Sequence, residues 1–186
     1  GRIEPLEMNR KGYITPGDAL ARGEVVRCGR GRGKTEAASA IAAKFKKASG
    51  RVVVVAPLRS LVAQAASRFQ TPSYKDSKGF ISGDVAVCAP SLRRVSLIHD
   101  TGDLCLDIDT PMGASLLVVD EIEQTLQMIT GGMLKWNEAK GTLVSLIAAV
   151  RSFSRVILMD ADAGALTARF IRVAGLEAET VWRTGP

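Results

Sequence analysis

The sequence predicts a three-layer α/β sandwich with a mostly parallel central sheet. Two observations carry that prediction. Short apolar, β-branched runs recur at Glu24–Cys28, Arg51–Ala56, Asp84–Cys88, Ser115–Asp120 and Arg155–Met159, with helically spaced segments between them. These runs lack the polar alternation of a half-exposed sheet, which suits strands covered on both faces. Strands alternating with helices place a parallel sheet between two helical layers. At 186 residues, 46% of them hydrophobic and 24% charged, the chain suits one soluble domain with a sizeable core.

Residues 1–23 form a lead-in with no clear pattern, apart from a possible short helix over Pro16 to Arg22. The strand Glu24–Cys28 then runs into a glycine-rich turn. Lys34–Ser49 follows as a helix, with Ala37, Ile41, Phe45 and Ala48 on one face and Gly50 as its stop. After Arg51–Ala56, the segment Leu58–Phe69 repeats Leu61, Ala65 and Phe69 at helical spacing. Thr71–Gly83 and Asp100–Gly113 are rich in Pro, Gly, Ser and Asp and read as loops. Beyond Ser115–Asp120, helices are expected at Leu143–Phe153 and, past the last strand, around Leu166–Val173.

Composition excludes several classes. No stretch reaches the length of a membrane span, and no charged-then-apolar leader is present. Cys28, Cys88 and Cys105 show no metal spacing, and with His99 as the single histidine a zinc site is not expected. The odd cysteine count points to reduced thiols in a cytoplasmic compartment, or a nuclear one if the chain comes from a virus of eukaryotes. The chain opens on Gly1 rather than Met, which reads as a processed or excised piece.

The net charge is +6 and unevenly spread. Ala37 to His99 holds ten Lys or Arg against two acids, whereas Asp100 to Glu123 holds seven acids and no Lys or Arg. The split suits an anionic partner on one side and a metal–phosphate site near the other; a solvated basic surface is the plainer alternative.

The most telling stretch is Val25-Val26-Arg27-Cys28-Gly29-Arg30-Gly31-Arg32-Gly33-Lys34-Thr35. Strand, glycine-rich turn and helix N-terminus in that order build a phosphate cradle. Glycines let the backbone wrap so that N–H groups point inward, and the positive end of the helix faces the same spot. Cys28, Gly29, Arg30, Gly31, Arg32, Gly33, Lys34 and Thr35 are the expected nucleotide-binding residues. Lys34 reaches the β/γ-phosphates and Thr35 Oγ holds Mg²⁺. The pattern G-x-x-x-x-G-K-S/T is not fully met, because Cys28 stands where its first glycine would be. Arg30 and Arg32 either grip phosphate, stack on adenine, contact a second lobe or point to water.

Leu116-Leu117-Val118-Val119-Asp120-Glu121 is an apolar strand ending in two carboxylates, where such a sheet presents its ligands. Asp120 is a candidate Mg²⁺ ligand, and Glu121 a candidate general base for the attacking water. Together with Lys34 this makes a hydrolytic ATP site. The adjacent Glu favours an ATPase over a small-molecule kinase.

Ala56-Pro57-Leu58-Arg59-Ser60-Leu61-Val62-Ala63-Gln64 resembles motif Ia of superfamily 2 helicases. Cys28–Thr35 resembles motif I, Asp120-Glu121-Ile122-Glu123 the DEAD/DExH box, Ala89-Pro90-Ser91-Leu92 motif Ib, and Met159-Asp160-Ala161-Asp162 sits where motif III lies. The resemblance covers about residues 25–165. Glu123 departs from the final Asp or His of the common boxes, and Asp-Ala-Asp replaces Ser-Ala-Thr. These variants look closer to herpesvirus origin-binding-protein-like replication helicases, relatives of which occur on plasmids and in phages.

The resemblance implies a RecA-like ATP-binding lobe over 24–186, with Arg155–Met159 between the phosphate-loop strand and the Asp120 strand. It implies an ATP-dependent motor with Mg²⁺ as cofactor, DNA more than RNA as partner, and no membrane. It also implies a second RecA-like lobe that would supply arginine fingers, for which the chain up to Pro186 leaves no room. Activity of this lobe alone is expected to be weak. Arg59, Gln64, Ser91 and Arg93 are the nucleic-acid candidates, with Arg94 beside them, and Asp160 and Asp162 the coupling candidates. A cation-favouring helix end is the plainer reading of Arg93-Arg94, and solvent exposure that of Gln64. Trp136 reads as a packing residue, and Trp182 stands apart from it with no stacking platform. The rival readings are a degenerate nucleotide-binding regulatory module and the motor lobe of a restriction or packaging translocase.

Overall fold

The computed structural model describes residues 2–5, 22–95, 97–100, 103–106 and 115–185; the proposed helix over Pro16 to Arg22 lies almost wholly outside them. The elements are β1 (Arg2–Pro5), β2 (Gly23–Arg27), α1 (Lys34–Lys47), β3 (Arg51–Ala56), α2 (Val62–Phe69), β4 (Val85–Cys88), β5 (Leu97–Asp100), β6 (Asp103–Leu106), β7 (Ser115–Asp120), α3 (Ile122–Thr130), α4 (Trp136–Ser152), β8 (Arg155–Met159), α5 (Ala165–Val173) and β9 (Thr180–Thr184).

Seven strands form one sheet in the order β1-β9-β2-β8-β7-β3-β4, and every pairing in it is parallel. The chain steps one way through β2, β3 and β4, then back through β7, β8 and β9. Right-handed crossovers therefore put α1 and α2 on one face and α3, α4 and α5 on the other. Val52–Val55 of β3 and Leu116–Val119 of β7 are fully buried, which is why these strands read as unbroken apolar runs. The motif III strand β8 lies between β2 and β7, as the resemblance implied.

Several expectations need correction. Helix α1 ends at Lys47, and the left-handed residue that terminates it is Ser49 (φ 58°), not Gly50. The Gly50 N–H closes back on Phe45 O at 2.7 Å, the six-to-one bond of a Schellman ending, which seats Gly50 one position too late for the αL role. A 3₁₀ turn over Arg59–Leu61 precedes α2, so Val62 takes the buried place expected for Leu61. Helix α4 begins at Trp136, seven residues earlier than Leu143, and Trp136 is 78% exposed rather than packed. The segment Asp100–Gly113, read as a loop, contributes to an antiparallel pair, β5 with β6.

Two strands at one side of the sheet, β1 and β9, were not anticipated. Charge rather than apolar pattern ties them in. Arg155 of β8 meets Glu24 of β2 at 3.4 Å, Glu24 meets Arg183 of β9 at 2.7 Å, and Arg183 meets Glu4 of β1 at 3.0 Å. Part of the lead-in is thus an edge strand of the same sheet.

Candidate functional site

The turn that follows β2 and the C-terminal end of β7 open toward a cleft of about 300 Å³. Its walls include Arg30–Glu36 from the glycine-rich turn and the start of α1, Asp120 and Glu121 from the end of β7, and Leu61, Gln64, Ala65, Arg68 and Phe69 from the α2 segment. Lys34 and Asp120, from separate strand ends, thus face one cavity of the size a small ligand occupies.

The glycine-rich turn is shaped by two left-handed residues, Gly31 (φ 73°) and Gly33 (φ 80°). Gly33 is the N-cap of α1 and offers no side chain to the first-turn N–H groups. Among the described residues no side chain accepts from the Lys34, Thr35 or Glu36 N–H. The positive end of α1 is therefore open to an anion. The Lys34 ammonium donates to Cys28 O at 2.8 Å and Gly29 O at 3.1 Å, leaving its third N–H for a ligand. Cys28 contributes its carbonyl; its side chain is buried, and burial pushes the thiol up despite Lys34 and Arg32. A small residue suffices there, and the thiol stays protonated.

Glu121 follows β7 in a left-handed conformation (φ 51°), which costs a non-glycine residue about 1 kcal/mol. Its neighbours hold it there. The Glu121 N–H donates to Asp120 Oδ1 at 3.0 Å, and Thr125 donates to Glu121 O through both N–H (2.9 Å) and Oγ1 (3.0 Å). Burial pushes the Asp120 carboxyl up, opposed by that N–H and by the charges of Lys34 and Arg68. Burial also raises Glu121, with the charges of Asp160 and Asp120 adding to it. Raised carboxyl pKa values beside a cavity mark a candidate functional site.

Below this pair, two carboxylates cross between elements. Asp160, buried at the end of β8, accepts the Glu123 N–H at 2.8 Å and the Gln124 N–H at 3.3 Å, and so caps α3. Its other oxygen accepts the Asp162 N–H at 2.8 Å. Glu123, buried in α3, accepts in turn from the N–H groups of Gly164 (3.1 Å), Leu166 (3.2 Å) and Thr167 (3.0 Å) and from Thr167 Oγ1 (2.6 Å), and so caps α5. Burial works to raise Glu123, but these four donors together hold it below the usual carboxylate range. Asp160 thus joins the DEAD-box-like segment to the motif III segment directly. Asp162 does so only through its backbone, its side chain being exposed.

The nucleic-acid candidates separate into two places. Arg59, Ser91 and Arg93 lie at the ends of β3 and β4; Arg59 and Arg93 are exposed and Ser91 is half-buried. Tyr74 lies between them. Burial and the Cys88 thiol raise its phenol, while the Arg59 charge and Ser91 oppose that. Arg94 instead anchors a loop, donating to Gly79 O (3.0 Å), Tyr74 O (3.3 Å) and Ser77 O (2.5 Å), with its guanidinium 5.7 Å from the Tyr74 ring centre. Gln64 lines the cleft with Lys34 and Asp120. Arg68 also lies there and was not foreseen; the i, i+4 spacing from Gln64 was the available signal.

The residues fit a Mg²⁺–triphosphate. Mg²⁺ takes one or two protein oxygens plus phosphates rather than an all-protein cage. Thr35 and Asp120 supply such oxygens, and among the described residues no cluster of three or more His, Cys, Asp or Glu forms a cage.

A family model described as DEAD/DEAH box helicase matches residues 17–147. No curated protein sequence matches the chain. Among solved structures, Dbp5 of S. cerevisiae, bound to Nup159, Gle1, IP6 and ADP, is similar at 16% identity, with 98% of this chain and 49% of that chain covered and a TM-score of 0.60. The UvsW helicase of bacteriophage T4 is similar at 11% identity, with 88% of this chain and 55% of that chain covered and a TM-score of 0.51. The chain thus spans about half the length of these structures, and at such identities the likeness shows the shared α/β fold.

Proposed function

The chain belongs to the DEAD/DEAH box helicase family, and from that premise we propose that it is the ATP-binding and ATP-hydrolysing motor lobe of a helicase or translocase. The observation that carries this reading is the single cleft in which Lys34, Thr35, Asp120 and Glu121 meet. In this reading, the α1 N-terminus and Lys34 cradle the β- and γ-phosphates. Thr35 and Asp120 hold Mg²⁺, which supplies charge neutralisation on the phosphate oxygens. Glu121 orients the attacking water and accepts its proton; its raised pKa makes it a stronger base than an exposed glutamate.

The strand rides over Arg59, Ser91 and Arg93, whose contacts position phosphates without reading sequence. DNA is the proposed strand, and replication the proposed setting, on the strength of the Glu123 and Asp160-Ala161-Asp162 variants. A second RecA-like lobe completes the cleft in the full protein and brings arginine fingers. Without such a lobe, turnover would be lower by about 10³–10⁵-fold by analogy with other phosphate-transfer motors.

The test is steady-state ATP turnover in Mg²⁺ for the wild type and Glu121→Gln, with single-stranded DNA and RNA added separately. Slow, strand-stimulated turnover that Glu121→Gln abolishes supports the motor, and stronger stimulation by RNA corrects the choice of strand. Nucleotide binding with turnover indifferent to Glu121→Gln selects a regulatory module instead.

A further inference from the structure

The cleft has a wall that the motor reading does not use. On α2, Gln64 and Arg68 are one turn apart on the same face, and both line the cavity together with the glycine-rich turn. This wall is fixed to the phosphate-loop helix. Ser39 Oγ of α1 donates to Arg68 O at 2.9 Å, and Lys46 Nζ donates to Phe69 O and, at 2.6 Å, to Gln70 O. The Arg68 backbone therefore keeps its place relative to Lys34 without help from a ligand. Its guanidinium is exposed and makes no hydrogen bond or ion pair with the described residues. A cation carried on a fixed backbone beside a phosphate-sized cavity, with its donors unspent, suits an anionic ligand.

We infer that Arg68 is a cis-acting ligand of the terminal phosphate of the bound nucleoside triphosphate, and that it sets the preference for triphosphate over diphosphate. The inference rests on the proposed reading of the cleft as a Mg²⁺–ATP site. The end of the nucleotide follows from position. Asp120 and Thr35 would hold a Mg²⁺ ion that neutralises charge on the phosphates, and Arg68 shares the cleft with Asp120, whose ionised carboxylate its charge favours. Lys34, bonded into the glycine-rich turn, contacts the β-phosphate that ATP and ADP share as well as the γ-phosphate, whereas Arg68 comes from a separate element. Counted together, Arg30, Arg32, Lys34 and Arg68 face Glu36, Asp120 and Glu121. Without Arg68 the cleft carries no net positive charge toward a ligand that is itself anionic with its metal.

Direct titration of fluorescent ATP and ADP analogues in Mg²⁺ tests this on the wild type, Arg68→Gln, Arg68→Lys and Lys34→Ala. Arg68→Gln should weaken ATP by about tenfold, the worth of one charge-assisted contact, and leave ADP within about twofold. Arg68→Lys should recover part of the loss, and keeps the charge should the Gln variant fold poorly. Equal losses for ATP and ADP, or no loss of either, would overturn the inference. So would unchanged ATP affinity with weakened binding of single-stranded DNA, which would move Arg68 to the strand-binding face. Should the wild type bind neither nucleotide, the ATP-site reading itself falls; should Lys34→Ala alone weaken binding, only the role of Arg68 does.

Discussion

Three helices of this lobe begin near one another at the same end of the sheet, and they are finished in opposite ways. Helices α3 and α5 have their first-turn N–H groups filled by carboxylates from elsewhere in the fold, Asp160 and Glu123. Helix α1 begins at a glycine and has no such carboxylate. A helix start carries about half a positive charge and several unsatisfied donors. The protein spends its own anions on two of them and leaves the third open. The α3 cap lies directly after Asp120 and Glu121, so the contrast separates framework from the proposed binding site.

Lys34→Ala attacks the open start and should have the largest effect. Removing the cation that closes the phosphate loop should cut ATP turnover by about 10²–10³-fold, comparable to the loss of one preorganised donor at a charged transition state. The thermal midpoint should change little, because Lys34 bonds only to its own loop. A Lys34→Ala protein that unfolds would break the contrast.

Glu123→Ala attacks a filled start and should reverse that pattern. The loss of a buried carboxylate with four donors should lower stability by about 2–3 kcal/mol, read from urea unfolding. The effect has a sign in pH. The folded pKa of Glu123 lies below its ordinary value, so its stabilisation is full above the ordinary glutamate range. It is lost as pH falls through the lowered folded value. Wild type and Glu123→Gln should therefore converge in acid and diverge toward neutrality. A constant gap at all pH values would show that shape rather than charge matters there.

A smaller change, Asp160→Asn, removes the charge of the α3 cap and turns one of its two acceptor oxygens into a donor. A cost of about 1 kcal/mol is expected, within the range of N-cap substitutions. Slowed turnover beyond what the stability loss explains would show that the cap also sets the Glu121 turn. Last, Trp136→Ser should shift stability by no more than about 0.5 kcal/mol, since the ring is exposed at the start of α4. A large loss there would return Trp136 to the packing role its sequence suggested.

Much of this was legible in the chain. The strands Arg51–Ala56, Ser115–Asp120 and Arg155–Met159 begin and end where their apolar runs do, because burial on both faces leaves no polar residue inside them. The form of the glycine-rich turn ahead of α1 was equally plain, since glycines shape it through their own backbone. Less was visible where a residue serves something distant. Helix α3 starts directly after Asp120-Glu121, with its cap 37 positions away at Asp160, so no local N-cap signal announced it. Strands β1 and β9 are tied in by Arg2, Glu4, Glu24 and Arg183, and charged residues in short edge strands mimic loop composition. Gln64 was grouped with Arg59 because the two share a motif, yet a helix turns Gln64 toward the cleft while Arg59 stays on the preceding turn.

The sequence by itself determined the local devices: which runs become buried strands, where a loop can wrap an anion, and which carboxylates stand at a strand end. Backbone conformation and burial act over a few residues, so a few residues suffice to encode them. Only the tertiary structure decided the partnerships, namely Asp160 with α3, Glu123 with α5, and Arg68 with the phosphate cleft. Each joins residues that lie far apart along the chain, and they meet because β8 inserts between β2 and β7 and α2 packs beside α1. Strand order is a property of the whole sheet's packing, and no single segment carries it.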